Sequence, residues 1–142
     1  MTHIHIQMID PEGDHRWWRE LAIAFIHVGD AFEIRCFKQD TEAIRLALSY
    51  GKQDDDVQSD YEVSIKGMVT KGMLKDVLSF EPCEVHGFTR LTPHFTLVVG
   101  RLSSEHHGME VHLSGLSPQE VERVESIMEP VGDRVSILTY ES

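Results

Sequence analysis

The residues predict an α+β fold: one mixed or mainly antiparallel sheet of about six or seven strands, with about three helices packed on one face. Three observations carry this. Short runs of period-two apolar alternation recur along the chain. Segments of helical spacing are interleaved among the later runs, two of them opened by capping residues. No repeat, low-complexity tract or Pro/Gly/Ser linker interrupts the 142 residues, so 1–142 reads as a single domain.

The first run is His3-Ile-His-Ile-Gln-Met-Ile9. Ile4, Ile6 and Met8 face one way and His3, His5 and Gln7 the other, the pattern of a half-buried strand. Asp10 to Asp14 makes a turn. Residues 17–28 are ambiguous. Trp17, Leu21, Ala24 and Val28 share a helical face, while Leu21, Ile23 and Phe25 share a strand face. Gly29-Asp30 suits a tight hairpin turn, and Phe32, Ile34 and Cys36 alternate with Glu33 and Arg35 beyond it. The reading taken is a hairpin of 20–28 with 31–38; a helix over the first arm is the alternative.

Asp40 caps a helix from Thr41 to Tyr50, striped by Ala43, Ile44, Ala47 and Leu48 and ended by Gly51. Tyr61, Val63 and Ile65 alternate in another strand. Lys71 to Phe80 returns to helical spacing, and 81–93 is irregular between Pro82 and Pro93. Phe95 to Leu102 reads as a central strand, apolar on both faces at Leu97-Val98-Val99. It pairs through a turn at 103–108 with a strand at Met109 to Leu113. Ser117-Pro118-Gln119-Glu120 is the clearest local signal: Ser117 caps, Pro118 takes the first helical position and Glu120 completes a capping box. Val121, Val124, Ile127 and Met128 form that helix's stripe. A last strand runs from Val135 to Tyr140.

Composition narrows the function classes. A hydrophobic fraction of 41% with 26% charged residues is that of a folded globular protein. The longest apolar stretch, Leu21 to Val28, falls far short of the roughly 20 residues needed to cross a bilayer, so no membrane contact is expected. The N-terminus lacks the basic-then-apolar pattern of an export signal, and the cytoplasm is the expected location. Cys36 and Cys83 have no CxxC partner and are read as buried free thiols. Twenty-four acids against 13 bases give a formal charge of −11, which repels phosphate backbones and argues against nucleic acid.

No catalytic motif stands out, and no cofactor is expected. G-x-S-x-G, the phosphate loop and the dinucleotide fingerprint are all absent. Cys83 and His86 make a C-x-x-H pair with no second half. Nine histidines require metal binding to be weighed. His3 and His5 share a strand face and can chelate an ion, but nothing in the spacing brings the candidate partners His106, His107 and His112 to them. The sharper feature is acidic: Asp54, Asp55, Asp56, Asp60 and Glu62 fall within nine residues. From Ser103 to Ser142 there are eight acids against two bases. Trp17 and Trp18 are candidate anchors, since exposed tryptophan is enriched at binding hot spots, while the plainer reading gives at least one of them to the core.

In size and acidity the whole chain resembles the immunity proteins that protect bacteria from polymorphic or contact-delivered toxins. That resemblance implies tight binding to a basic toxin domain, often a nuclease, and occlusion of its active site. The 54–62 loop, the C-terminal acids and the tryptophans would supply the surface. It transfers no functional residue. The alternatives carried beside it are a small-molecule-binding or regulatory domain and a metal-dependent enzyme using the histidines. The oligomeric state is left open.

Overall fold

A computed structural model describes residues 1–142. The elements are β1 (Thr2–Met8), α1 (Arg16–Phe25), β2 (Ala31–Phe37), α2 (Thr41–Leu48), β3 (Lys52–Gln53), β4 (Glu62–Met68) and α3 (Lys71–Ser79). There follow β5 (Cys83–Val85), β6 (Phe88–Arg90), β7 (Thr96–Val99), β8 (Leu102–Glu105), β9 (Glu110–Leu116), α4 (Pro118–Met128), a 3-10 segment (Glu129–Arg134) and β10 (Val135–Glu141). Eight strands form one sheet in the order β10-β1-β9-β8-β7-β2-β4-β3, with every pairing antiparallel. β5 and β6 form a separate two-stranded ribbon. The α+β class stands, with four helices and more strands than the sequence predicted.

Alternation decides the two faces of the sheet. Ile4 and Ile6 of β1, Ile34 of β2, Leu97 and Val99 of β7 and Val111 and Leu113 of β9 all point inward and are buried. The helices lay Trp17, Leu21, Ala47, Met73, Val77, Val124 and Met128 against them in one continuous apolar cluster. Burial of such side chains contributes about 1.5–3 kcal/mol each. The opposite face is polar and open. Across it the register sets Leu138, His5, His112, Ser103, Val98, Glu33 and Lys66 side by side, one from each successive strand.

The expected hairpin at 20–28 and 31–38 is half wrong. β2 is present, but the first arm is the helix α1. Trp17, Trp18, Leu21, Ala22 and Phe25 form its buried stripe, whereas a strand would have turned Ile23, which is 53% exposed, toward the core. Gly29 adopts φ +96 in a connecting loop, where Asp30 accepts a hydrogen bond from the His27 amide at 3.0 Å.

The strand expected from Phe95 to Leu102 is two strands. Gly100, at φ +54, turns the chain, so β7 pairs with β8, and β8 rather than β7 pairs with β9. The segment expected to be irregular contains the β5–β6 ribbon. Cys36 is buried and free, but Cys83 is free and exposed, so only one of the two thiols is a core residue. The capping box holds: the Glu120 amide donates to Ser117 Oγ at 3.2 Å, and the Ser117 amide donates to Glu120 Oε1 at 3.0 Å. No helix is long and apolar enough to cross a membrane.

Candidate functional site

The antiparallel order brings β1, β8 and β9 together, and with them histidines far apart in the chain. His5 lies directly opposite His112 across the β1–β9 ladder, with ring centroids 5.8 Å apart. His3 stacks on Tyr140 of β10 at 5.1 Å, and His112 Nε2 meets the Tyr140 hydroxyl at 2.6 Å. His106 stands at the end of β8 with Nδ1 3.4 Å from Glu110 Oε2. The other oxygen of Glu110 lies 2.7 Å from His5 Nε2. Four of the five candidate histidines thus share one region of the open face.

His107 is the exception. It turns under the hairpin, where Nδ1 meets the Thr92 carbonyl at 3.3 Å. Burial, reinforced by the nearby Arg90 charge, lowers its pKa and favours the neutral ring. Donation from Nδ1–H to Thr92 then leaves Nε2 as an acceptor. His106 and His107 both adopt positive φ, +54 and +55, in the four-residue loop between β8 and β9. Gly108 completes that loop because a Cβ there would lie 2.8 Å from Trp18 Nε1.

Beside this hairpin, at the end of the sheet where β1 and β2 finish, is a cavity of about 590 Å³. Phe37, Phe88, Phe95 and Met109 give it apolar walls, and Asp40, Arg90, His106, His107 and Glu110 give it polar ones. Phe37 and Phe95 pack with centroids 4.5 Å apart. Asp40 also caps α2, accepting from the Ala43 amide at 3.1 Å. Arg90 makes no ion pair, and its buried Nε has no hydrogen-bond partner. The chain therefore carries an uncommitted cation in the wall of an aromatic cavity.

The acidic candidates lie elsewhere. Asp54 pairs with Lys66 at 2.6 Å and accepts from the Asp56 amide at 3.0 Å. The Lys66 hydrogen bond holds its carboxyl below the usual range. Asp55, Asp56 and Asp60 are exposed, and Glu62 is half-buried. This loop flanks β4, near one edge of the sheet, whereas Glu122, Glu125 and Glu129 line a groove with Ile137 at the β10 edge. Six strand spacings separate β4 from β10, roughly 29 Å, so the two acidic regions do not form one surface.

Trp17 and Trp18 both take the core role expected of at least one of them, and neither is the surface anchor. Both are 2% exposed, because α1 points the pair into the core. Trp18 Nε1 donates to Ser104 Oγ at 3.2 Å.

The residues that spacing did not single out are Glu105, Glu110, Arg90, Tyr140 and the three phenylalanines of the cavity. The glutamates counted only as part of a general C-terminal acidity. Comparisons with protein-family models, curated proteins and solved structures return no match.

Proposed function

We propose that this protein binds a small amphipathic molecule with an apolar body and an acidic group, held in the cavity at the end of the sheet. The observation that carries this is Arg90, free of any internal ion pair, in the wall of a cavity whose apolar side is Phe37, Phe88, Phe95 and Met109 and whose polar side also holds Asp40, His106, His107 and Glu110. The volume of about 590 Å³ falls in the range of small-molecule sites, which combine apolar walls with a few convergent polar groups. An acidic group on the ligand would accept from Arg90, and the aromatic rings would cover its body. The neutral His107 and the carboxylate of Asp40 add one acceptor each and orient any hydroxyl or amine the ligand carries.

The test uses anilinonaphthalene sulfonate, an anionic aromatic dye that fluoresces when shielded from water, with dodecanoate as competitor. Saturable one-to-one binding to the folded protein, displaced by dodecanoate and weakened at least tenfold by Arg90→Gln and by Phe95→Ala, supports the reading. Near-ultraviolet circular dichroism checks that the variants stay folded. Absence of saturable binding, or binding indifferent to both substitutions, overturns it.

A second reading, capture of a basic protein such as a toxin domain, is favoured by one observation: Glu122, Glu125 and Glu129 line the groove beside the edge strand β10, with no basic residue in its wall. Charge there would speed encounter with a cationic partner. Capture of a basic nuclease domain that weakens with salt and with glutamine at these three positions supports this reading. Capture unaffected by either removes it.

A further inference from the structure

The hairpin between β8 and β9 closes on two carboxylates. Glu105 and Glu110 stand directly opposite each other across the ladder, and like charges so placed destabilise a hairpin. His106 follows Glu105, and one ligand-capable atom from each of Glu105, His106 and Glu110 lies within 4.8 Å of the other two. His106 Nδ1 and Glu110 Oε2, at 3.4 Å, are already spaced as two ligands on one tetrahedral ion are, given metal–ligand lengths of about 2.0–2.2 Å.

A separate feature points the same way. On the open face of the sheet, a cavity of about 100 Å³ is lined by His5, Ser103, Glu105, Glu110 and His112, with no apolar side chain. The same two glutamates therefore border a polar recess with room for an ion and several waters, and His106 lies outside its lining. His5 approaches the Glu110 oxygen remote from His106, as outer groups do when they orient a ligating carboxylate.

We propose that Glu105, His106 and Glu110 bind one divalent transition-metal ion, with zinc the best match, and that His5 positions Glu110. A cation between the facing carboxylates turns their repulsion into attraction. The imidazole favours a transition ion over calcium or magnesium, which take oxygen ligands. All three ligands come from six consecutive residues of one hairpin, so folding of that hairpin alone assembles the set. The site shares Glu110 and His106 with the larger cavity wall but does not depend on what that cavity holds.

The probe is zinc ion alone, titrated calorimetrically into the full chain freed of metal by chelation. The expected result is one equivalent bound with micromolar or tighter affinity. Glu110→Gln, Glu105→Gln and His106→Asn, the last chosen because asparagine tolerates positive φ, should each weaken binding at least 100-fold. His5→Ala should weaken it about 10–100-fold, the range for loss of a group that orients a ligand. His3→Ala should leave affinity unchanged. Cobalt substitution should give the visible absorption of a low-symmetry site, lost in Glu110→Gln.

Binding weaker than millimolar overturns the proposal. So does binding that survives the three ligand substitutions, or that is abolished by His3→Ala. If a ligand variant unfolds, its loss of binding carries no weight, and the comparison of His5→Ala with His3→Ala decides: equal affinities overturn the proposal. A negative result here leaves the dye experiment on the larger cavity unaffected.

Discussion

Arg101, in the turn between β7 and β8, holds the Glu120 carboxylate of α4 with both terminal nitrogens. Glu120 is at the same time the third helical residue and the acceptor for the Ser117 amide. One carboxylate thus closes the capping box and ties α4 to the sheet. The Arg101 hydrogen bond, followed by the Ser117 amide, pulls its pKa from 4.5 to about 2.

A folded-state pKa below the unfolded one means stability that is complete above pH 4.5 and lost as the pH falls through about 2. Urea unfolding followed at pH 7 and at pH 2.5 should therefore show a smaller acid loss in Glu120→Gln than in the parent. At pH 7, Ser117→Ala should cost about 1 kcal/mol, the usual value of an N-cap.

The indole of Trp18 links α1 to β8 through Ser104, and both residues are buried. Ser104→Ala leaves that N–H without its partner and should cost about 1–3 kcal/mol. Trp18→Ala should cost about 3–5 kcal/mol by opening a cavity. Chemical denaturation with fluorescence detection measures both. Both tryptophans of the folded protein should emit at short wavelength and resist quenching by iodide.

Gly108→Ala should be more damaging than its size suggests. The new methyl would meet Trp18 Nε1 at 2.8 Å and Leu91 Cβ at 2.9 Å, on a backbone at φ +90. The positive φ alone costs an L-residue about 1 kcal/mol or more. A drop in thermal midpoint larger than that of Gly29→Ala, where nothing lies within 4 Å of the added carbon, is the expected outcome.

His94 is fully buried, and neither ring nitrogen has a hydrogen-bond partner. Burial, with the nearby His107 adding to it, lowers its pKa from 6.5 to about 4. The unfolded chain takes up the proton first, so the stability contribution is complete above pH 6.5 and declines as the pH falls toward about 4. His94→Leu should shallow the dependence of the urea midpoint on pH over that interval. His107, shifted in the same direction, retains part of the slope.

Local chemistry was legible wherever a segment's neighbours in sequence are also its physical neighbours. The capping box at Ser117, the cap at Asp40 and the alternation of β1 and β2 depend on contacts a few residues long. Leu21 to Val28 misled because short apolar runs satisfy both periods at once, and only the core that received Trp17, Trp18 and Phe25 could choose between them. The β7–β8 turn was hidden for a similar reason. Gly100 reads as an ordinary residue of an apolar run until β8 is seen to need a place between β7 and β9.

The acidity, the absence of a long apolar helix and the α+β class follow from residue types and spacing, which are properties of the chain taken one short window at a time. The meeting of His5 with Glu110 and His112, and of Phe37 with Phe95, follows from strand order, whereas the carboxylates facing each other at positions 105 and 110 follow from the register of one local hairpin. Strand order is decided by how the apolar faces of distant segments bury one another. Residues about a hundred positions apart become neighbours only when that burial repays the entropy of closing the loop between them.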